Sequence, residues 1–175
     1  MKTQKGFTIV ELLIVIVVMA ILAAITIVAF NGVRQRAEDT KLVSVINSYI
    51  KAVKLYKAEN GTYPNVSTFC LGVEGDLPAT ARFANNICGQ GNCGNCLRND
   101  TLNAALAPYM KTPPRANFTE EFLRNNGQYL RGIIYSGDAG SYYYSYPIKP
   151  NRSCPIGNVE FTETNVRSCY DYVDS

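Results

Sequence analysis

One carboxylate, six cysteines and a cluster of tyrosines are the residues of this chain whose types and spacing could do chemistry. Glu11 is the only charge in the apolar run from Phe7 to Phe30. A carboxylate in hydrocarbon is costly, about 2.5–3.5 kcal/mol for a central Asp on insertion scales and less near the interface. A plain anchor has no reason to carry one. The position suits a helix that waits in a membrane and later leaves it for a protein interior, where Glu11 finds a cation. Cys88-x4-Cys93-x2-Cys96, with Cys70 upstream, has thiolates for a tetrahedral zinc site. Such sites commonly use two short pairs, and only one is present here. An even count of cysteines, all beyond the apolar run, favours disulfides in an oxidising compartment, with three connectivities open among these four. Cys154 and Cys169 complete the set and enclose 14 residues near the C-terminus.

Catalysis finds little support, and neither a cofactor nor a bound metal is expected. The chain has no His, so the usual near-neutral proton shuttle is missing. Glu38-Asp39 and Glu120-Glu121 read as helix-surface charges, Asp138 stands alone in its turn, and no nucleophile motif is present. Tyr142, Tyr143, Tyr144 and Tyr146 crowd into one short stretch. On a strand three of them share a face and Tyr143 lies opposite. Strand propensity and core filling account for them. The sharper alternative is an exposed aromatic platform for sugar or single-stranded nucleic acid, although no basic cluster adjoins it.

These groups need positioning elements. The run from Phe7 to Phe30 is 24 residues, about 36 Å of helix and enough to cross a hydrocarbon core of about 30 Å. A secretory signal has a shorter apolar core and a small-residue cleavage site after it; Ala23-Ala24 is that alternative. The helix continues beyond Phe30. Val33, Ala37, Leu42, Val45, Ile46, Tyr49, Ile50, Val53 and Tyr56 recur at mostly three- and four-residue spacing, an amphipathic stripe. Arg34, Lys41, Lys51, Lys54 and Lys57 take other positions, as a solvated face. Asn60-Gly61 is a stop signal and Pro64 prevents the helix resuming.

Residues 60–127 form a Cys-rich region of little regular pattern. Short helices are expected at 102–110, opened by Asp100 or Thr101, and at 120–124, capped by Thr119. Over 128–175 the pattern changes to strands, at 129–135, 142–148, 159–164 and 166–170, the first two joined through a turn-rich 136–140. Asn-x-Ser/Thr triplets at Asn60, Asn65, Asn117 and Asn151 arise readily in such a composition and are not read as glycosylation sites. The fold class expected is α+β: a long N-terminal helix, membrane-spanning and then amphipathic, packed on a small antiparallel sheet with disulfide-stapled loops.

The formal charge is only +3, which does not argue for nucleic acid. Orientation across a membrane cannot be decided by charge, since Lys2 and Lys5 precede the span and Arg34 and Arg36 follow it. The cysteines decide it, and place the C-terminal region outside the cytoplasmic membrane.

The first thirty residues resemble the N-terminus of type IV prepilins and their relatives, the pseudopilins of secretion systems. A short basic leader ends in Gly6, and an aromatic Phe7, Thr8, Glu11 and a Leu/Ile/Val run follow. The resemblance implies a leader at 1–6, cut by a prepilin peptidase between Gly6 and Phe7, with methylation of the new Phe7 amine. It implies a filament-core helix at 7–30, continued at 31–59, and a meeting between Glu11 and the Phe7 amine of a neighbouring subunit. Partners so implied are other copies of the chain and related pilins, the peptidase, the assembly platform and the cytoplasmic membrane before assembly. A surface ligand or DNA is a further partner, should the chain be a minor tip pilin. Such pilins often carry Gly and Pro within this helix, where Ala20 and Val28 stand here. Glu59-Asn60-Gly61-Thr62-Tyr63-Pro64 is similar to the family's helix exit, and Cys154 with Cys169 to the C-terminal disulfide loop of many type IV pilins.

Overall fold

The computed structural model describes residues 6–174 apart from 65–67, 73–74, 82, 84–86, 92–93, 111, 113, 116–117, 119 and 139–140. It comprises two compact units, Met1–Asp39 and Thr40–Ser175. Helix α1, Ile9–Asn60, is 52 residues long and contributes to both. In the first unit the stretch Ile9–Thr26 is long and apolar enough to cross a membrane, and none of it is buried. Val33 and Ala37 were expected on the buried stripe but are exposed. They belong to the unit that is helix alone among the described residues, so burial begins only near Leu42.

In the second unit the stripe does its packing. Val45, Ile46, Tyr49, Ala52 and Val53 are buried, with Leu42, Ile50 and Tyr56 packed beside them. They meet one face of a five-stranded antiparallel sheet of order β1-β6-β7-β9-β8. Its strands are β1 (Thr68–Leu71), β6 (Ile133–Asp138), β7 (Ser141–Ile148), β8 (Asn158–Thr162) and β9 (Arg167–Tyr172). Leu71, Ile133, Tyr135, Tyr144, Tyr146, Ile148 and Cys169 supply the sheet's side of this core. The helix stops where expected: Gly61 takes φ +76° and its N–H closes on the Lys57 carbonyl at 2.8 Å, a left-handed cap that glycine adopts without a Cβ penalty.

The loop region holds more order than its sequence suggests. A second, four-stranded sheet of order β3-β2-β5-β4 is built from β2 (Ile87–Gly91), β3 (Gly94–Leu97), β4 (Phe122–Leu123) and β5 (Tyr129–Leu130). The helix expected at 120–124 is therefore not formed. Phe122 and Leu123 pair with Leu130 and Tyr129 instead, across a turn in which Gly127 takes φ +82°, so a tertiary pairing overrides the local pattern. Glu120 and Glu121 are accordingly no helix pair: Glu120 meets Lys149 at 2.9 Å and Glu121 accepts from the Thr80 hydroxyl.

The single strand expected at 129–135 is split between the two sheets at Gly132, which takes φ +72°. A Cβ there would lie 3.1 Å from Leu77 and 3.2 Å from Phe118, so conformation and space both demand glycine. The helix expected at 102–110 is α2, Asp100–Leu106, followed by a 3-10 turn over Ala107–Tyr109. Its cap is neither Asp100 nor Thr101 but Asn99, whose Oδ1 accepts from the Leu102 N–H at 2.9 Å. Leu102 and Leu106 then point into the main core.

Candidate functional site: the start of the long helix

Helix α1 opens with a reciprocal cap. Thr8 precedes the first helical residue, and its carbonyl already accepts from the Leu12 N–H at 3.3 Å. The Thr8 hydroxyl accepts from the Glu11 N–H at 3.3 Å. The Glu11 carboxylate turns back through Oε2, which accepts from the Thr8 N–H at 2.8 Å and from the Thr8 hydroxyl at 2.7 Å. This is a capping box, Thr-x-x-Glu, which satisfies donors that a helix start leaves unpaired. The carboxylate also sits where the helix dipole favours negative charge. Sequence reasoning singled out Glu11 but missed Thr8 as its partner, although the three-residue spacing carries that signal. Among the described residues Oε1 of Glu11 makes no hydrogen bond.

The two described residues ahead of the cap, Gly6 and Phe7, have no structural employment. Phe7 is 82% exposed. Gly6 has φ outside the glycine-only region, and a Cβ added to it would meet nothing within 4 Å. The fold therefore gives no reason for glycine at position 6 or an aromatic at position 7.

The cysteines are settled for the residues described. Cys70 is bonded to Cys88 and Cys154 to Cys169. Cys96 is also disulfide-bonded, while Cys93 lies outside the described residues. The Cys70 and Cys88 sulfurs are joined to each other and so are not free as thiolate ligands in this structure. Cys169 is fully buried in the main core, so its bond ties the loop after β7 to β9. The bond from Cys70 to Cys88 ties β1 of the first sheet to β2 of the second, within a small core that includes Leu77 and Cys96.

Three of the four clustered tyrosines face the core and offer no exposed platform. Tyr144 and Tyr146 are buried, and Tyr142 packs on Tyr63 at 4.6 Å and stacks with Tyr135 at 6.1 Å between ring centres. Burial pushes the Tyr144 hydroxyl up to about 12 and the Tyr146 hydroxyl higher still. Core filling is the role of Tyr142, Tyr144 and Tyr146, as the plainer reading of the sequence had it, whereas Tyr143, on the opposite face, is half-buried and packs edge-on against Tyr172 at 6.5 Å. Two other polar groups were not singled out. Arg131 is fully buried, donates to the Ile87 carbonyl and the Pro78 carbonyl at 2.7 Å each, and lies over the Phe83 ring at 4.6 Å. It gives the Pro78 and Ile87 carbonyls fixed donors. Asp174 accepts from the Tyr63 hydroxyl and from Lys57 at 3.1 Å, clasping the C-terminus to the helix exit. Lys57 also lies 4.2 Å above the Tyr63 ring.

Residues 1–27 match the model of the prokaryotic N-terminal methylation motif. The chain is also similar to a type IV pilus component and to type II secretion system core proteins. It is 37% identical over 86 residues to the type IV wide pilus major component PilA4 of Thermus thermophilus, covering 48% of this chain and 65% of that protein. It is 38% identical over 84 residues to the type II secretion system core protein G of Klebsiella michiganensis, covering 47% and 59%. Against the core protein G of Escherichia coli it is 34% identical over 64 residues, covering 37% and 44%. The chain thus spans less than two thirds of the length of these relatives. No solved structure matches it.

Proposed function

We propose that this chain is a structural subunit of a type IV pilus-like extracellular filament, not an enzyme. The observation that carries the reading is a lone carboxylate capping an exposed apolar helix behind an unemployed Gly–Phe junction. Residues 1–6 are a leader removed by a prepilin peptidase, which methylates the Phe7 amine it exposes. Residues 7–30 hold the subunit in the cytoplasmic membrane and then form the filament core, with residues 31–59 continuing the helix. Residues 60–127 and 128–175 make the head, on the far side of that membrane. In the filament, Glu11 pairs with the Phe7 amine of a neighbouring copy, because a charge buried between apolar helices is tolerable only when paired. The filament serves adhesion, twitching motility or DNA uptake.

A second reading draws on the core protein G relatives, named as parts of a type II secretion system: the same N-terminus would then build a short secretion-system filament. Purifying surface filaments and measuring the intact mass of their dominant subunit tests the proposal. The expected result is this chain, beginning at N-methylated Phe7. A subunit starting after Ala23 or Ala24 would contradict it. Finding the processed chain only in cell-envelope assemblies, with protein secretion failing in its absence, would favour the second reading.

A further inference from the structure

We propose that the solvent face of α1 within the second unit is one half of a contact between copies of this chain, and that the tyrosine-bearing outer face of the five-stranded sheet is the other half. The inference rests on the filament reading above and deepens it.

From Thr40 to Ala58 the chain carries four lysines and no acidic residue. Lys57 is held by Asp174. Lys41, Lys51 and Lys54 are exposed, and none of the three forms a salt bridge among the described residues. At about 100° per residue they share one face with Ser44, Asn47 and Leu55, and Lys51 falls at its middle. Leu55 is 42% exposed there, while Ser44 and Asn47 are short enough to let another surface come close.

The sheet offers a matching surface. Tyr144, Tyr146 and Cys169 face the helix, so Tyr143, Tyr170 and Tyr172, at alternate positions, face the other way. Tyr143 and Tyr172 are register partners, and Tyr172 packs edge-on against Tyr143 at 6.5 Å and Tyr170 at 5.9 Å. It is 50% exposed. On the edge strand beside β9, Glu160 is exposed and accepts from the Ser168 hydroxyl at 2.7 Å. Ser168 shares the face of Tyr170, so this contact draws the carboxylate towards the tyrosines. Rings and a carboxylate both attract an ammonium, and Lys57, 4.2 Å above the Tyr63 ring, makes such a contact within the chain.

The two surfaces lie on opposite sides of the head, so they cannot meet within one chain. Each copy offers one and receives the other. A heterologous contact of this kind propagates as an open helical filament unless its rotation closes a ring. Lys51 then reaches Glu160, and Leu55 meets the tyrosine rings. A polyanion would engage the lysines but leave Leu55 and the tyrosine face without a role, and the formal charge of only +3 gives it little attraction.

The test swaps charges in the full-length chain, in cells lacking any other copy, and reads processed fraction, membrane level and filament yield. Lys51→Glu and Glu160→Lys are each expected to be processed and membrane-held like the parent. Their filament yield should fall at least about tenfold, because like charges then face each other across the contact. The two substitutions together restore opposite signs and are expected to bring the yield back to within about threefold of the parent. Parental yield from Lys51→Glu overturns the inference, and so does a double variant that assembles no better than the single ones. Filaments of Lys51→Glu that form normally but no longer retain added double-stranded DNA would also overturn it, and would assign the lysine face to a polyanion. If Glu11→Ala assembles normally, the filament reading itself fails, a result separable from the failure of this contact.

Discussion

Residues 9–26 and 42–56 of α1 are built from similar side chains, Val, Ile and Leu in both, yet the first stretch is wholly exposed and the second carries the core of the head. The difference lies in arrangement. In the first stretch apolar residues cover every side of the helix, the signature of a helix whose surroundings are apolar all round. In the second they favour one stripe, Leu55 being exposed off it, with Lys41, Lys51 and Lys54 exposed elsewhere. The second stretch therefore finds its apolar surroundings within its own chain. The first finds none among the described residues.

Substitutions that distinguish the two halves sharpen this contrast. Tyr49→Ala, in the buried half, is expected to lower head stability by about 3–5 kcal/mol, the range for deleting a buried aromatic ring. Leu13→Ala, 52% exposed in the parent, is expected to leave it unchanged. Thermal unfolding of the detergent-solubilised chain followed by near-ultraviolet circular dichroism checks both. Equal losses would mean the first half is packed against the head.

The staples come next in size. Cys154→Ser with Cys169→Ser opens a loop of sequence separation 15 and is expected to cost about 3 kcal/mol. Denaturant unfolding of the variant measures it, and a midpoint equal to the parent's would show that the core alone holds β9.

The clasp at the C-terminus gives the smallest effect. Hydrogen bonding from the Tyr63 hydroxyl, then from Lys57, holds the Asp174 carboxyl below its ordinary range. Its contribution is full above about pH 4 and is lost as pH falls through the lowered folded value. Hydrogen bonds with Tyr63, then with Asp174, raise Lys57. That contribution is full below about pH 10 and is lost as pH rises through the raised value. Both groups are substantially exposed, so Asp174→Asn is expected to lower the melting temperature by only about 1–3 °C at neutral pH. The difference should vanish at pH 2. A difference that persists there would assign the effect to packing.

How much of this was legible in the sequence follows from the range over which each signal acts. The long helix, its exit at Gly61 and the strands after residue 140 rest on local periodicity and turn chemistry, and were readable. The second sheet was not. β4 and β5 are two residues each, too short for a period, and exist because Phe122 and Leu123 find partners across a turn. The division at Gly132 depends on Leu77 and Phe118, distant in sequence. Buried Arg131 looked like any surface charge, because what it satisfies is backbone more than forty residues away. At the helix start, Glu11 was conspicuous for being alone, whereas Thr8 was overlooked because a Thr near an apolar run is unremarkable until its spacing to Glu11 is read as a cap.

The central claim is that the exposed half of α1 is completed by other copies through Glu11. Filament yield from Glu11→Ala, in cells with no other copy of the chain, tests it most directly. Filaments should be abolished or sharply reduced while processing at Gly6 and membrane level stay near parental. Filaments as abundant as the parent's would contradict the account.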